Sequence, residues 1–270
     1  MVRAMPHAQR FSCALVTGAS AGLGEEFAFQ LAPRVDVLVL VARRAERLRV
    51  LTQALNEVFP GLRVEVVTAD LTAEGGCQRV ADSLSELGLV PDLLVNNAGM
   101  GDYGEFVTAE WSKLEAMLRL NVEALTRLTH AVLPGMIARG GGGAVVNVSS
   151  LACLLPIPDF AVYAATKAYV SSFSEALRIE LKEHGIPVLA VCPGPVRTEF
   201  GEVARRDPER DPAIGAFYVS KERVVEDALL ALDRNRARVY PGLKIAVAAA
   251  VIAALPLCAI RLVMGRRPRR

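Results

Sequence analysis

Residues 17–24 read Thr17-Gly18-Ala19-Ser20-Ala21-Gly22-Leu23-Gly24, directly after the apolar run Cys13–Val16. Glycine has no Cβ, so the chain can turn sharply here and another group can come close to the backbone. Helical spacing begins at Gly24 and continues to Leu31. A helix that starts at such a turn offers free N–H groups and the positive end of its dipole, which suits a phosphate. The plainer alternative is a Gly-rich strand-to-helix turn with no ligand. Three residues separate Gly18 from Gly22, a wider spacing than GxGxxG.

Outward from this turn, strand and helix signals alternate almost to the end. Val35–Val41 is β-branched and too short for an ordinary helix. Ala45–Val58 reads as a helix with Leu48, Leu51 and Leu55 on one face. A strand over Leu62–Val67 runs toward Asp70, and a helix through Val80 and Leu84 closes at Gly88. Leu93–Val95 leads into Asn96-Asn97-Ala98-Gly99. One long helix is expected over Glu110–Met136, with Pro134 kinking or ending it. Gly140–Gly143 is a turn, Ala144–Val148 a strand, Val162–Glu183 a long helix and Pro187–Val191 a strand. A polar stretch over Gly201–Asp211 breaks the rhythm before a helix at Lys221–Asp233 and a strand at Arg238–Tyr240. This alternation implies right-handed βαβ crossovers: an α/β, doubly wound parallel sheet of Rossmann type, in a single domain with a C-terminal apolar helical tail. The expected divisions are an N-terminal extension over 1–11, the sheet domain over 12–240, and an apolar helix with a basic end over 241–270. Ligands of such sheets bind beyond the carboxyl ends of the strands, where every motif here falls.

Composition narrows the function classes. The chain has 270 residues, 52% of them hydrophobic, and a formal charge of only +2. Much of that charge is the tail Arg266, Arg267, Arg269 and Arg270, so a global case for nucleic-acid binding fails. The five cysteines are scattered without a CxxC pair, and only three histidines accompany them, so neither a disulfide framework nor a metal site is indicated. Met1–Arg10 carries no apolar core of signal-peptide length. A reducing, cytoplasmic setting is the expectation.

The segments TGASAGLG (17–24), NNAG (96–99), Tyr163-Ala-Ala-Thr-Lys167 and Pro193-Gly194 stand in this order at successive strand ends. Together they resemble the signatures of the short-chain dehydrogenase/reductase family, over roughly Ser12 to Tyr240. The resemblance implies a dinucleotide cofactor held by Gly18, Ser20, Ala21, Gly22, Leu23 and Gly24. It adds Asp70 and Leu71 at the adenine, Asn97, Ala98 and Gly99 at the adenosine half, and Pro193, Gly194, Val196 and Thr198 after the sixth strand. Asp70 could instead cap the following helix, as could Thr72. NAD enzymes usually place an acid at the end of the second strand. Here stand Ala42 and then Arg43 and Arg44, and a guanidinium attracts the 2′-phosphate that an acid would repel. NADP(H) is therefore the expected cofactor, with Arg43 the main contact and Arg44 a second. The alternative is that both merely open an Arg-rich helix.

A free phenol has a pKa of about 10, and a nearby ammonium lowers it. Tyr163 and Lys167, four residues apart, share a helix face. The resemblance makes them the proton-transfer pair, with Lys167 also holding the nicotinamide ribose. Family spacing selects Ser150 over Ser149 as the group that hydrogen-bonds the substrate oxygen. It also gives Asn121 a helix distortion that supports a water relay to the lysine. The implied reaction interconverts a carbonyl and a secondary alcohol. A catalytically silent NADP-binding redox sensor is the competing reading. The loops Met100–Phe106, Leu151–Phe160 and Glu199–Val219 should shape the substrate site. The middle one is strongly apolar, which suits a lipophilic ketone such as a 3-oxoacyl, steroid-like or aromatic carbonyl. Relatives of this kind form homodimers or homotetramers through their two long helices. Leu243–Met264 is nearly continuous in Ala, Val, Ile and Leu, interrupted by Pro256 and Arg261. It has three readings: a helix packed on the core or across a dimer, a peripheral membrane contact, and a span.

Overall fold

The computed structural model describes residues 9–140, 142–207 and 217–265. Among these, seven strands form one sheet: β1 (Phe11–Thr17), β2 (Val35–Ala42), β3 (Arg63–Thr68), β4 (Leu93–Asn96), β5 (Ala144–Val148), β6 (Val188–Val191) and β7 (Arg238–Val239). All neighbours run parallel, in the order β3-β2-β1-β4-β5-β6-β7. The strands are apolar throughout because both faces are covered. Successive side chains feed opposite layers of core. Ala14, Val16, Leu38, Leu40 and Val95 meet the helices α1 (Gly22–Leu31), α2 (Ala45–Val58) and α8 (Lys221–Asp233). Leu15, Val39, Val41, Leu94 and Val145 meet α3 (Gly76–Glu86), α5 (Leu125–Ala138) and α6 (Ala161–Glu180). Strand order reverses between β1 and β4, and the crevice there is where a sheet of this kind accepts a ligand.

Three expectations need correction. The helix expected over Glu110–Met136 is α4 (Trp111–Leu118), a π turn over Arg119–Ala124, and then α5. The distortion is centred on Asn121, whose amide turns inward to bind the backbone of Met100. Pro134 does not end α5, which continues to Ala138. Its missing N–H costs one bond to the carbonyl of His130, and both residues lie on the exposed face. The extension ends earlier than expected, since Phe11 already pairs with Val35 in the sheet. Residues 1–8, the latter part of the polar stretch (208–216) and the basic end (266–270) lie outside the described residues.

The tail is not one helix. It forms α9 (Leu243–Ala254) and α10 (Leu257–Met264), bent by 117° at the break. Pro256 is the cause: it forces Leu255 into an extended conformation and opens α10 as its cap. Among the described residues no single helix is long and apolar enough to cross a membrane. One face of α9 packs on the body. Ile245 and Ala249 are fully buried, and Ile245 lies against Gly194, leaving no space there for a Cβ. Leu243, Val247 and Val251 point outward.

This packing fixes the expected stability effects. Ile245→Ala should cost about 2–4 kcal/mol, whereas Val247→Ala, 55% exposed, should stay within about 0.5 kcal/mol. Urea unfolding of both variants reads the difference; equal midpoints would contradict the docking of α9.

Candidate functional site

Three chain segments meet where β1 enters α1. Gly18 and Gly22 have φ of +66° and +59°, a region where L side chains are strained. A Cβ on Gly18 would lie 2.8 Å from Ala98 Cα, and one on Gly24 would collide with the carbonyl of Gly18. Asn97 ties the junction together. Its Nδ2 donates to the carbonyls of Thr17 (2.9 Å) and Gly18 (3.3 Å). Thr17 Oγ1 in turn accepts from the backbone N–H groups of Asn97 and Ala98, both at 3.0 Å. Ala21, the residue that opens α1, supplies no side-chain cap, so the first N–H groups of the helix stay available to a phosphate. Thr198, which opens α7 (Glu199–Ala204), sits over Gly22, with its Cγ2 3.2 Å from where a Cβ would be. These features fit a pyrophosphate. Ser20 instead accepts from Arg44, and Leu23 packs on the core.

The end of β2 presents both arginines, but unequally. Arg44 donates to Glu199 at 2.7 Å, and Arg47 joins the same carboxylate at 3.2 Å. The Arg44 hydrogen bond holds the Glu199 carboxyl below its usual range. Arg43 is exposed and reaches only Asp70, at 3.6 Å. Asp70 does not cap α3, which opens at Gly75. It closes a local turn by accepting from the backbone and hydroxyl of Thr72 at 2.9 and 2.7 Å. Leu71 is core. Val196 makes a short bridge to Val219.

The four residues expected to act together lie around one point. α6 carries Tyr163 and Lys167, both buried. The Tyr163 hydroxyl faces Ser150 at the end of β5, and that polar neighbour draws the phenol down. Ser150 also caps the 3-10 turn Leu151–Leu154, accepting from Ala152 N at 3.1 Å. Lys167 Nζ donates to Val148 O at 2.9 Å and lies 5.7 Å from the Tyr163 ring centre, which leaves two further donors on its ammonium. Gly99 is close enough that a Cβ there would stand 3.4 Å from Lys167 Nζ and 3.3 Å from Asn121 Oδ1. Asn121 Oδ1 accepts from Met100 N (2.9 Å), and Nδ2 donates to Met100 O (2.8 Å) and Thr166 Oγ1 (3.1 Å). It therefore anchors the loop after β4 to α6. Ser149, the candidate set aside, donates to Lys167 O at 2.8 Å.

The expected electrostatic effect of the lysine on the tyrosine is overridden. Burial pushes the Tyr163 phenol up to about 12, and the nearby Ser150 hydroxyl offsets this only in part. Burial also brings the Lys167 ammonium down to about 8. Spacing on a helix gave the pair's shared face, but desolvation is the largest cause of both shifts.

Aromatic rings cover Tyr163. Phe160 stacks on it with ring centres 4.1 Å apart, Phe200 of α7 lies 5.6 Å away, and Tyr103 meets Phe160 edge-on at 5.7 Å. The three loops bind one another here: Tyr103 N to Ala204 O, Gly104 N to Asp159 O, and Arg206 N to Tyr103 O. Arg206 also pairs with Asp102, whose buried carboxylate takes Lys113 at 3.0 Å as well. A cavity of about 410 Å³ opens beside them, lined in part by Phe106, Leu114, Pro158 and Val162. Sequence reading passed over Thr17, Glu199 and the Asp102–Arg206 pair. Of these only Thr17 carried a signal, as a polar residue ending an apolar strand.

A lysine whose folded pKa lies below its unfolded value makes stability rise with pH between the two. From pH 8 to 10 the unfolded chain holds the extra proton, so wild type should gain stability relative to Lys167→Met. Above pH 10 the raised Tyr163 works the other way, its contribution being lost as pH passes toward 12. Thermal melts of the two proteins across pH 7–10 measure this, and parallel curves would refute a buried ammonium.

The pattern of the short chain dehydrogenase family matches residues 12–209. Sulfoacetaldehyde reductase 2 of Chromohalobacter salexigens is 37% identical over 190 residues, 69% of this chain and 73% of that protein. Very-long-chain 3-oxoacyl-CoA reductase of Rattus norvegicus is 33% identical over 217 residues, 78% and 68% of the two chains. A short-chain dehydrogenase from Sphingobium yanoikuyae, solved in complex with NADPH, is 34% identical with a TM-score of 0.79, covering 96% of this chain and 97% of its own. With its parallel sheet, its glycine junction and its buried Tyr163–Ser150–Lys167 group, the chain belongs to the short-chain dehydrogenase family.

Proposed function

We propose that this protein reduces a lipophilic ketone with NADPH, or oxidises the matching secondary alcohol. Family membership makes it a carbonyl/alcohol oxidoreductase. The observation that carries the proposal is Tyr163, facing Ser150 and buried beneath Phe160 and Phe200. The nicotinamide, when bound, supplies the hydride. Tyr163 donates its proton to the substrate oxygen while Ser150 hydrogen-bonds that oxygen. A phenol held at high pKa is fully protonated at neutral pH, as a proton donor for reduction must be. Lys167 uses its two remaining donors to hold the ribose hydroxyls. Asn121 positions the loop of Gly99 and Met100 against α6.

NADP(H) preference rests on the end of β2, where Ala42 replaces the acid and Arg43 is free to turn from its loose 3.6 Å contact with Asp70. Arg44, held by Glu199, is the lesser contact. The named substrates of the two relatives differ in polarity, so lipophilicity is argued from the covering rings and the apolar 151–160 loop instead. Rings at these distances favour a flat or long apolar group beside the carbonyl.

NADPH oxidation against ketones graded in hydrophobicity tests the reaction. Tyr163→Phe should lower turnover by about 10²–10⁴-fold with NADPH affinity nearly unchanged, and the bulkier apolar ketones should turn over faster. Near-normal turnover in the variant would sink the role of the phenol. Arg43→Ala should weaken NADPH binding by about tenfold, the equivalent of about 1.4 kcal/mol, and leave NADH binding unaltered. An equal effect on both cofactors would refute a 2′-phosphate contact.

A further inference from the structure

Behind the catalytic helix lies a buried group that the proposed reaction does not use. Cys192 follows β6 and is wholly buried, with its Sγ 3.8 Å from Ser171 Oγ. Ser171 shares a 2.8 Å hydrogen bond with Ser149, the residue that holds the carbonyl of Lys167. Cys153 enters the same cluster from the 3-10 turn capped by Ser150. Its thiol faces Cys192, Ser171 and Ser149, the polar groups that draw it down to about 6. The backbone brings the turn that carries Cys153 to the segment that carries Cys192: Ser149 N donates to Val191 O at 2.7 Å and Leu151 N to Pro193 O at 2.8 Å, extending the β5–β6 pairing past both strand ends, and Cys153 N closes the turn on Ser150 O at 3.1 Å.

We propose that Cys153 and Cys192 are an oxidation site, a thiol pair that closes to a disulfide and ties the Ser150 turn to the strand end that feeds Pro193 and Gly194. The two differ in role. Cys153 is half-buried and can be reached, whereas Cys192 is enclosed. The polar surroundings of Cys192 and the serine hydroxyls favour the Cys153 thiolate, while burial and the neighbouring Cys153 keep the Cys192 thiol protonated. An acidic, accessible thiol beside a second one is the arrangement that oxidation requires. The oxidant is a hydroperoxide. The Cys153 thiolate attacks one peroxide oxygen and becomes a sulfenic acid, and the other oxygen leaves as water or alcohol after taking a proton. The Cys192 sulfur then displaces the sulfenic hydroxyl, which leaves as water with the Cys192 proton, and an S–S bond of about 2.05 Å forms. Two thiols are oxidised by two electrons and one hydroperoxide is reduced.

The other cysteines serve as controls. Burial pushes the Cys13 thiol up to about 11 and also raises Cys77, so both resist oxidation. Closure would act on the site in two ways. It fixes the turn that carries Ser150, and it removes the thiolate charge that Tyr163 and Lys167 both feel. That consequence rests on the proposed reaction; the bond itself does not.

The test is therefore made on mass. The full chain is treated with a slight excess of hydrogen peroxide, denatured, blocked with N-ethylmaleimide and digested. The expected result is three blocked thiols where the untreated chain has five, a crosslinked peptide joining Cys153 to Cys192, and five again after dithiothreitol. Cys153→Ser and Cys192→Ser should each abolish the crosslink. Five blocked thiols after peroxide, a crosslink through Cys13, Cys77 or Cys258, or Cys153 passing to sulfinic acid without a crosslink would each overturn the proposal. None of these readings depends on NADPH or a substrate.

Discussion

Asn97 reaches from the end of β4 and donates one amide to two carbonyls of the β1 turn, and the rest of the site is built on that contact. Without it, the carbonyls of Thr17 and Gly18 would be partly buried polar groups with a missing partner, a cost of about 1–3 kcal/mol each. With it, two strand ends on either side of the topological reversal are held as one surface. Gly24 has no room for a side chain because the junction is already closed by Gly18 and Asn97. The direction of α1, and so the aim of its free N–H groups, follows from this crowding.

The Tyr163 side of the site is governed by water exclusion. Tyr163 sits under Phe160 and Phe200 and Lys167 is buried beside it, and loss of hydration moves the two groups in opposite senses, the phenol up and the ammonium down. Both shifts favour the uncharged forms. The polar neighbours, Ser150 and the carbonyl of Val148, orient the groups more than they charge them. The loops that supply the aromatic cover are locked by Arg206 and Lys113 on the buried Asp102. Each cation there offsets part of the desolvation cost of that carboxylate, which would be prohibitive alone.

Sheet order and most element boundaries were legible because parallel strands covered on both faces are written as short unbroken apolar runs. α2, β5 and α8 match their expected bounds of Ala45–Val58, Ala144–Val148 and Lys221–Asp233. The π turn at Asn121 was legible only as a distortion, since no local pattern shows that the amide would bind Met100 rather than a water chain. The unequal fates of Arg43 and Arg44 depend on Glu199, 155 residues away from Arg44. Such long-range pairing leaves no trace in local sequence. The bend at Pro256 had a visible cause, yet apolar composition alone read as one long segment. What decided its course was the fit of Ile245 over Gly194, a contact between distant parts of the chain.

That fit separates the support of the turn from that of the sheet. The turn of Pro193 and Gly194 belongs to the middle of the chain, but the side chain that backs it, Ile245, is made 51 positions later, near the end of the sequence. The two core layers contain no residue of α9, whereas the Pro193–Gly194 turn leans on Ile245. A chain lacking that helix would keep the material of its sheet and lose the backing of the turn.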